Sequence, residues 1–124
     1  MKIQATGYLK LEGSKCDDKD IYSLWVTFPS PVMGQDEIQV FTPYNTDIPK
    51  VRFLVGGEFM NLTEPEEEDF RDCLFQIANV FNGLKEEATK AVILVDGELG
   101  MWAEEDDNSR QFFHIKPDSL LVYV

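Results

Sequence analysis

Ile3, Ala5, Gly7, Leu9 and Leu11 alternate with Lys2, Gln4, Thr6, Tyr8 and Lys10. This is the period-two pattern of a strand that buries one face. Residues 13–20 (GSKCDDKD) break the pattern and read as a loop. Residues 21–28 carry apolar side chains on both faces, with Tyr22, Leu24, Val26 and Phe28 on one and Ile21 and Trp25 on the other. That predicts a central strand, ended by Pro29, Pro31 and Gly34. A short strand follows at 37–42, then a loop at 43–49. A strand at 50–55 turns at Gly56-Gly57 into a short strand at 58–62.

The period then changes. Thr63, Pro65 and Glu66 form the start signal of a helix: an N-cap, a first-turn proline and an acid three residues after the cap. Phe70, Cys73, Leu74, Ile77, Phe81 and Leu84 recur at three-and-four spacing along one face, and Asn82-Gly83 reads as the stop. Residues 85–90 add a turn or form the connection. Strands return at 91–95 and 99–103 around an Asp96-Gly97 hairpin signal, and at 110–115 and 119–124 around Lys116-Pro117-Asp118, with a turn at 104–109. The expected order is β-β-β-β-(β)-α-β-β-β-β. It describes a single α+β domain over residues 1–124, in which a mainly antiparallel, curved sheet of about eight strands carries one amphipathic helix across a face.

Composition fits that picture. The chain is 44% hydrophobic with fifteen aromatics, enough for one core without disulfides or a structural metal. It shows no signal-type apolar region and no membrane-length apolar run, so a cytoplasmic protein with two free thiols, Cys16 and Cys73, is expected.

Charge changes the picture more. Residues 1–62 hold eight acids and six bases, whereas residues 63–124 hold fifteen acids and five bases. A net charge of −12 repels nucleic-acid backbones and anionic membranes and attracts basic surfaces. In the helix, Glu64 and Glu66 suit the positive end of the macrodipole. Glu67, Glu68, Asp69 and Asp72 go beyond that need, and Glu68 and Asp72 repel each other at i,i+4. Opposite the apolar stripe, Phe75 falls among these acids, the pattern of an apolar anchor with an electrostatic rim. Glu104, Glu105, Asp106 and Asp107 form a second cluster at the predicted turn.

Chemistry-bearing motifs are sparse. His114 is the one histidine, no nucleophile elbow surrounds any serine, and the cysteine and histidine spacing fits no zinc site. The acidic runs lack the alternation and central glycine of a calcium loop, and no glycine pattern fits a phosphate loop. The sequence therefore leads to no metal, no cofactor and a non-enzymatic role. It predicts an acidic interaction module that binds and blocks a basic, nucleic-acid-handling protein. DNA-mimicking counter-defence inhibitors and toxin-immunity proteins act through the same physics. Two other classes fit the pattern: a ligand-binding or catalytic α+β domain with a pocket between sheet and helix, walled by Trp25 and Trp102, and an assembly subunit that pairs through exposed strands.

Overall fold

The computed structural model describes residues 1–42, 48–60, 70–84, 91–103 and 111–124. They form β1 (Lys2–Cys16), β2 (Lys19–Val32), β3 (Gln35–Val40), β4 (Lys50–Val55), β5 (Glu58–Phe59), α1 (Phe70–Leu84), β6 (Val92–Ala103) and β7 (Gln111–Tyr123). The fold is α+β: a mixed seven-stranded sheet with one helix packed against it.

The strand count falls below eight because two expected turns are not turns. Asp96-Gly97 lies inside β6, and Lys116-Pro117-Asp118 lies inside β7. The two segments face each other across the ladder. Asp96 pairs with Ser119 and Gly97 with Pro117, which leaves Asp118 as the extra residue of a bulge on β7. A bulge is one of the few places in a sheet interior that accepts proline. Gly97 meets a separate demand, because a Cβ there would lie 2.2 Å from the Lys116 carbonyl oxygen.

The expected loop at 13–20 is likewise mostly strand. β1 runs to Cys16 and β2 starts at Lys19, and only Asp17-Asp18 turns, with φ of 51° and 62°. Two positive φ values in a two-residue turn match the right-handed twist of the flanking strands. Pro29 and Pro31 do not end β2, which continues to Val32 before a Met33-Gly34 turn. α1 continues through Asn82-Gly83 to Leu84. Its predicted capping residues Thr63 to Glu66 lie outside the described residues.

The sheet is not wholly antiparallel. β7 runs parallel to β3 through Gln39–His114 and Val40–Ile115, and parallel to β4 from Lys50–Ser119 to Leu54–Tyr123. All other pairings are antiparallel. One edge of β7 thus serves β3 with its first half and β4 with its second, and the Asp118 bulge sits between the two. β1 divides in the same way, pairing with β6 through residues 2–8 and with β2 through residues 8–16. The β3–β7 contact closes β1, β2, β3, β7 and β6 into a ring, a partly open five-stranded barrel, with β4 and β5 carried on the free half of β7.

The core fills the ring and extends under the helix. Leu24, Val26, Ile38, Val40, Ile93, Val95, Ile115, Leu120 and Val122 join Phe53 of β4 and Phe70, Cys73, Leu74 and Ile77 of α1 in one buried cluster. β1 contributes the face its alternation predicts, with Ala5 buried and Ile3, Leu9 and Leu11 packed against the cluster. No helix among the described residues is long and apolar enough to cross a membrane.

Candidate functional site

Of the sequence-predicted site residues, the structure describes Asp72 and Phe75. Glu64, Glu67, Glu68 and Asp69, and Glu104, Glu105, Asp106 and Asp107, lie outside the described residues. The second set belongs to the connection between Ala103 and Gln111, which are Cα partners on β6 and β7.

The charge partition is nonetheless sharp. The described residues hold eleven acids and eight bases, close to balance. Residues 61–69 hold five acids and no base, and residues 104–110 hold four acids and one base. Eight of the twelve net negative charges therefore fall within residues 61–69 and 104–110 of the sequence. Within the described residues, Lys2 and Lys10 are drawn into ion pairs. Lys10 Nζ lies 2.9 Å from Glu37 and 3.0 Å from Glu12, and Lys2 lies 2.6 Å from Asp118. The hydrogen bond to Glu37, followed by that to Glu12, raises the Lys10 pKa. These pairs are surface-exposed and screened, so they set charge balance more than stability.

Helix α1 buries Phe70, Cys73, Leu74, Ile77 and Ala78 and turns Arg71, Phe75 and Asn79 outward, as its apolar spacing requires. Asp72 is half-buried. Phe75 is 39% exposed, and its ring meets Tyr22 of β2 edge-on, at 5.3 Å between centroids and 85° between planes. The contact joins the outer side of the helix to β2. An aromatic pair of this geometry contributes about 0.5–1.5 kcal/mol beyond its buried area. Double-mutant analysis of Phe75→Ala and Tyr22→Ala by denaturant unfolding should return a coupling in that range. A coupling near zero would mean that the two rings do not hold the helix.

A second constellation lies on the outer face of the ring. Lys10, Trp25, Gln39, His114 and Gly100 stand in one row of register across β1, β2, β3, β7 and β6. Trp25 points away from Leu24 and Val26, hence away from the core side of the sheet. It does not wall a space between sheet and helix. Among the described residues its Nε1, shielded from solvent, meets no hydrogen-bond acceptor, and Thr27 Oγ1 on the same face is shielded in the same way. The His114 ring lies against Gly100, where an added Cβ would fall 2.5 Å from Cε1 and Nε2.

Burial lowers the His114 pKa below the usual 6.5. Between the folded and unfolded values the unfolded chain binds more protons, so stability rises with pH there. Acidification starts to destabilise as pH falls through 6.5. The melting temperature of the wild type should therefore drop further between pH 7.5 and 5 than that of His114→Gln. Equal drops would remove His114 from the pH response.

Where the outer face meets the β3–β7 seam, the structure shows a contact with no sequence signal. β3 and β7 pair only at 39–40 and 114–115. Nearer their starts, the Gln35 side-chain amide lies between them. Its Oε1 accepts from the Phe113 N–H at 2.5 Å, and its Nε2 donates to the Phe113 carbonyl at 3.3 Å and to the Glu37 carbonyl at 3.0 Å.

Among the described residues, no group of three or more His, Cys, Asp or Glu is placed to hold a metal ion, and the Cys73 side chain is buried in the core. No family model matches this chain, and neither a curated protein nor a solved structure matches it.

Proposed function

We propose that this protein is a non-enzymatic interaction module that binds a basic, nucleic-acid-handling protein through its acidic segments and so obstructs that partner's own ligand site. The observation that carries this reading is the segregation of charge along the sequence: residues 61–69 and 104–110 carry eight of the twelve net negative charges and contain a single base, Arg110. A chain that used acids only for solubility would gain as much from spreading them, at less cost in like-charge repulsion. Concentrated carboxylates instead steer encounter with a positive surface and compete there with phosphates. Phe75, exposed on the helix that follows the first run, supplies an apolar contact beside the charge.

Affinity capture from the native host at low salt, followed by titration of the recovered protein, tests the proposal. A basic nucleic-acid-binding protein that leaves the complex as salt rises is the expected result. Recovery of a neutral or acidic partner whose affinity ignores salt would contradict it. A thermal shift with a metabolite would favour the ligand-binding class instead.

A further inference from the structure

We infer that the outer face of β1, β6, β7, β4 and β5 is a dimer interface, on which a second copy of this chain packs face to face about a twofold axis along β7. The inference goes beyond the proposed function and does not depend on it.

The face follows from the strand registers. Ala5, Ile93, Val95, Leu120, Val122 and Phe53 belong to the core, so the residues that alternate with them point outward. Three rows result. Tyr8, Val92, Tyr123, Leu54 and Phe59 stand level across the five strands. Thr6, Leu94, Leu121 and Arg52 form the next row, and Gln4, Asp96, Ser119 and Lys50 the third. At the ends of the first row Tyr8 is 52% and Phe59 58% exposed, and the members between them are half-buried. A solvated sheet face normally carries polar side chains. A contiguous apolar stretch of this width marks an interaction surface.

Symmetry and charge select the occupant. β7 is the middle strand of the five. A half-turn about an in-plane axis along β7 lays β4 of one copy over β6 of the other, and β5 over β1, while each row keeps its level. Phe59 of one copy then meets Tyr8 of the other, Leu54 meets Val92, and Lys50 meets Asp96. Leu121 and Tyr123 meet their own counterparts near the axis. Each contact is thus repeated or lies on the axis, as an isologous interface requires. Packed sheets stand about 10 Å apart with strands within about 30° of each other, a separation that facing side chains fill.

The charges match in the same arrangement. Among the described residues, Lys50 and Arg52 form no ion pair, and Asp96 accepts from the neutral side chains of Gln4 at 2.9 Å and Ser119 at 3.5 Å. The Arg52 guanidinium lies 5.6 Å from the centre of the Phe59 ring. The three rows hold no other charge, so two copies of net charge −12 can meet here without opposing acids. Five strands spaced by about 4.8 Å and five residues rising about 3.3 Å each give roughly 400 Å² per copy in projection. With side-chain relief the pair buries on the order of 1,000 Å², the lower bound of a specific interface, and a weak, reversible dimer is expected.

Sedimentation equilibrium of the intact protein tests this, from about 10 μM to about 1 mM and at about 0.05 M and about 0.5 M salt. Wild type should pass from monomer to dimer, more readily at the higher salt, because screening weakens the repulsion between two acidic chains. Lys50→Asp and Asp96→Lys should each dimerise at least about tenfold more weakly, since each homodimer opposes like charges twice. Their equimolar mixture should dimerise, because both cross-pairs are then attractive. Tyr8→Glu, at an exposed position, should weaken the dimer as strongly, and it serves if Asp96→Lys unfolds. A wild type that stays monomeric throughout overturns the inference, whether the face is solvated or kept for a different partner. So does a dimer that Tyr8→Glu leaves intact, or a mixture of two folded variants no more dimeric than either alone. None of these results bears on capture of a basic partner.

Discussion

Gly97→Ala should lower the melting temperature by more than about 10 °C, and Gly97→Val should prevent folding. The added Cβ would lie 2.2 Å from the Lys116 carbonyl oxygen, 2.9 Å from Ile115 Cγ2 and 3.0 Å from the Lys116 carbonyl carbon. Two of those atoms are backbone in the β6–β7 ladder, so relief requires the strands to part by about 1 Å at the bulge. Forcing extra volume into a packed core costs about 1–3 kcal/mol and sometimes more. Here the upper end applies, because no flexible side chain can move aside. Against a total stability of about 5–15 kcal/mol, that is a large fraction, and at this chain length about 3 kcal/mol corresponds to the stated shift. Gly13→Ala is the control. Its Cβ would meet Tyr22 Cε1 at 3.2 Å, a side-chain atom rather than backbone and 1.0 Å farther than the nearest contact at Gly97, and Gly13 is exposed. A change of no more than about 1 kcal/mol is expected there. Similar losses at both positions would show that the bulge is not the tight point of the barrel.

Reversing the charge of Glu67, Glu68 and Asp69 together with Glu104 and Glu105 should weaken partner binding by at least a hundredfold at low salt, with little change in the unfolding midpoint. An exposed ionic contact contributes about 0.2–1 kcal/mol, and reversal replaces attraction with repulsion. Five such changes add up to roughly 3–5 kcal/mol, or a factor of about 10² to 4 × 10³ in affinity. Acidic side chains are almost never fully buried unless paired, which is the reason to expect the fold to persist. Urea titration of free protein and calorimetric titration with partner separate the two effects. Variants that lose stability in proportion to affinity would show that these acids serve the fold.

Much of the fold was legible in the sequence where the signal is local. The β1 alternation, the Gly56-Gly57 turn and the α1 stripe each depend on spacing within a dozen residues, and each is present in the structure. The errors share a cause. Asp96-Gly97 has the chemistry of a hairpin turn, and Lys116-Pro117-Asp118 has the chemistry of a loop. Each is overruled by the long β6–β7 ladder, in which twelve residue pairs run from Val92–Tyr123 to Ala103–Gln111. Closure of the ring through β3 and β7 joins segments some 75 residues apart by parallel pairing, and no periodicity announces it. In the candidate site, the acids were legible as composition. The Tyr22 ring under Phe75 and the Gln35 amide between two strands were not, since an isolated tyrosine or glutamine in a strand carries no spacing signal. A hint lay in Met33-Gly34, whose two-residue turn fixes where β3 begins and so delivers Gln35 to the seam.

On the proposed function, carboxylate charge concentrated in two short runs drives association with a positively charged protein. Calorimetric titration of the captured partner between 0.1 M and 1 M salt tests it most directly, run with wild type and with a variant carrying Gln or Asn at Glu64, Glu67, Glu68, Asp69 and Glu104 through Asp107. Over that range the screening length falls from about 10 Å to about 3 Å. Wild-type affinity should fall by more than tenfold, while the neutralised variant should start weak and change little. Parallel salt curves for the two proteins, or a wild-type affinity independent of salt, would contradict the account.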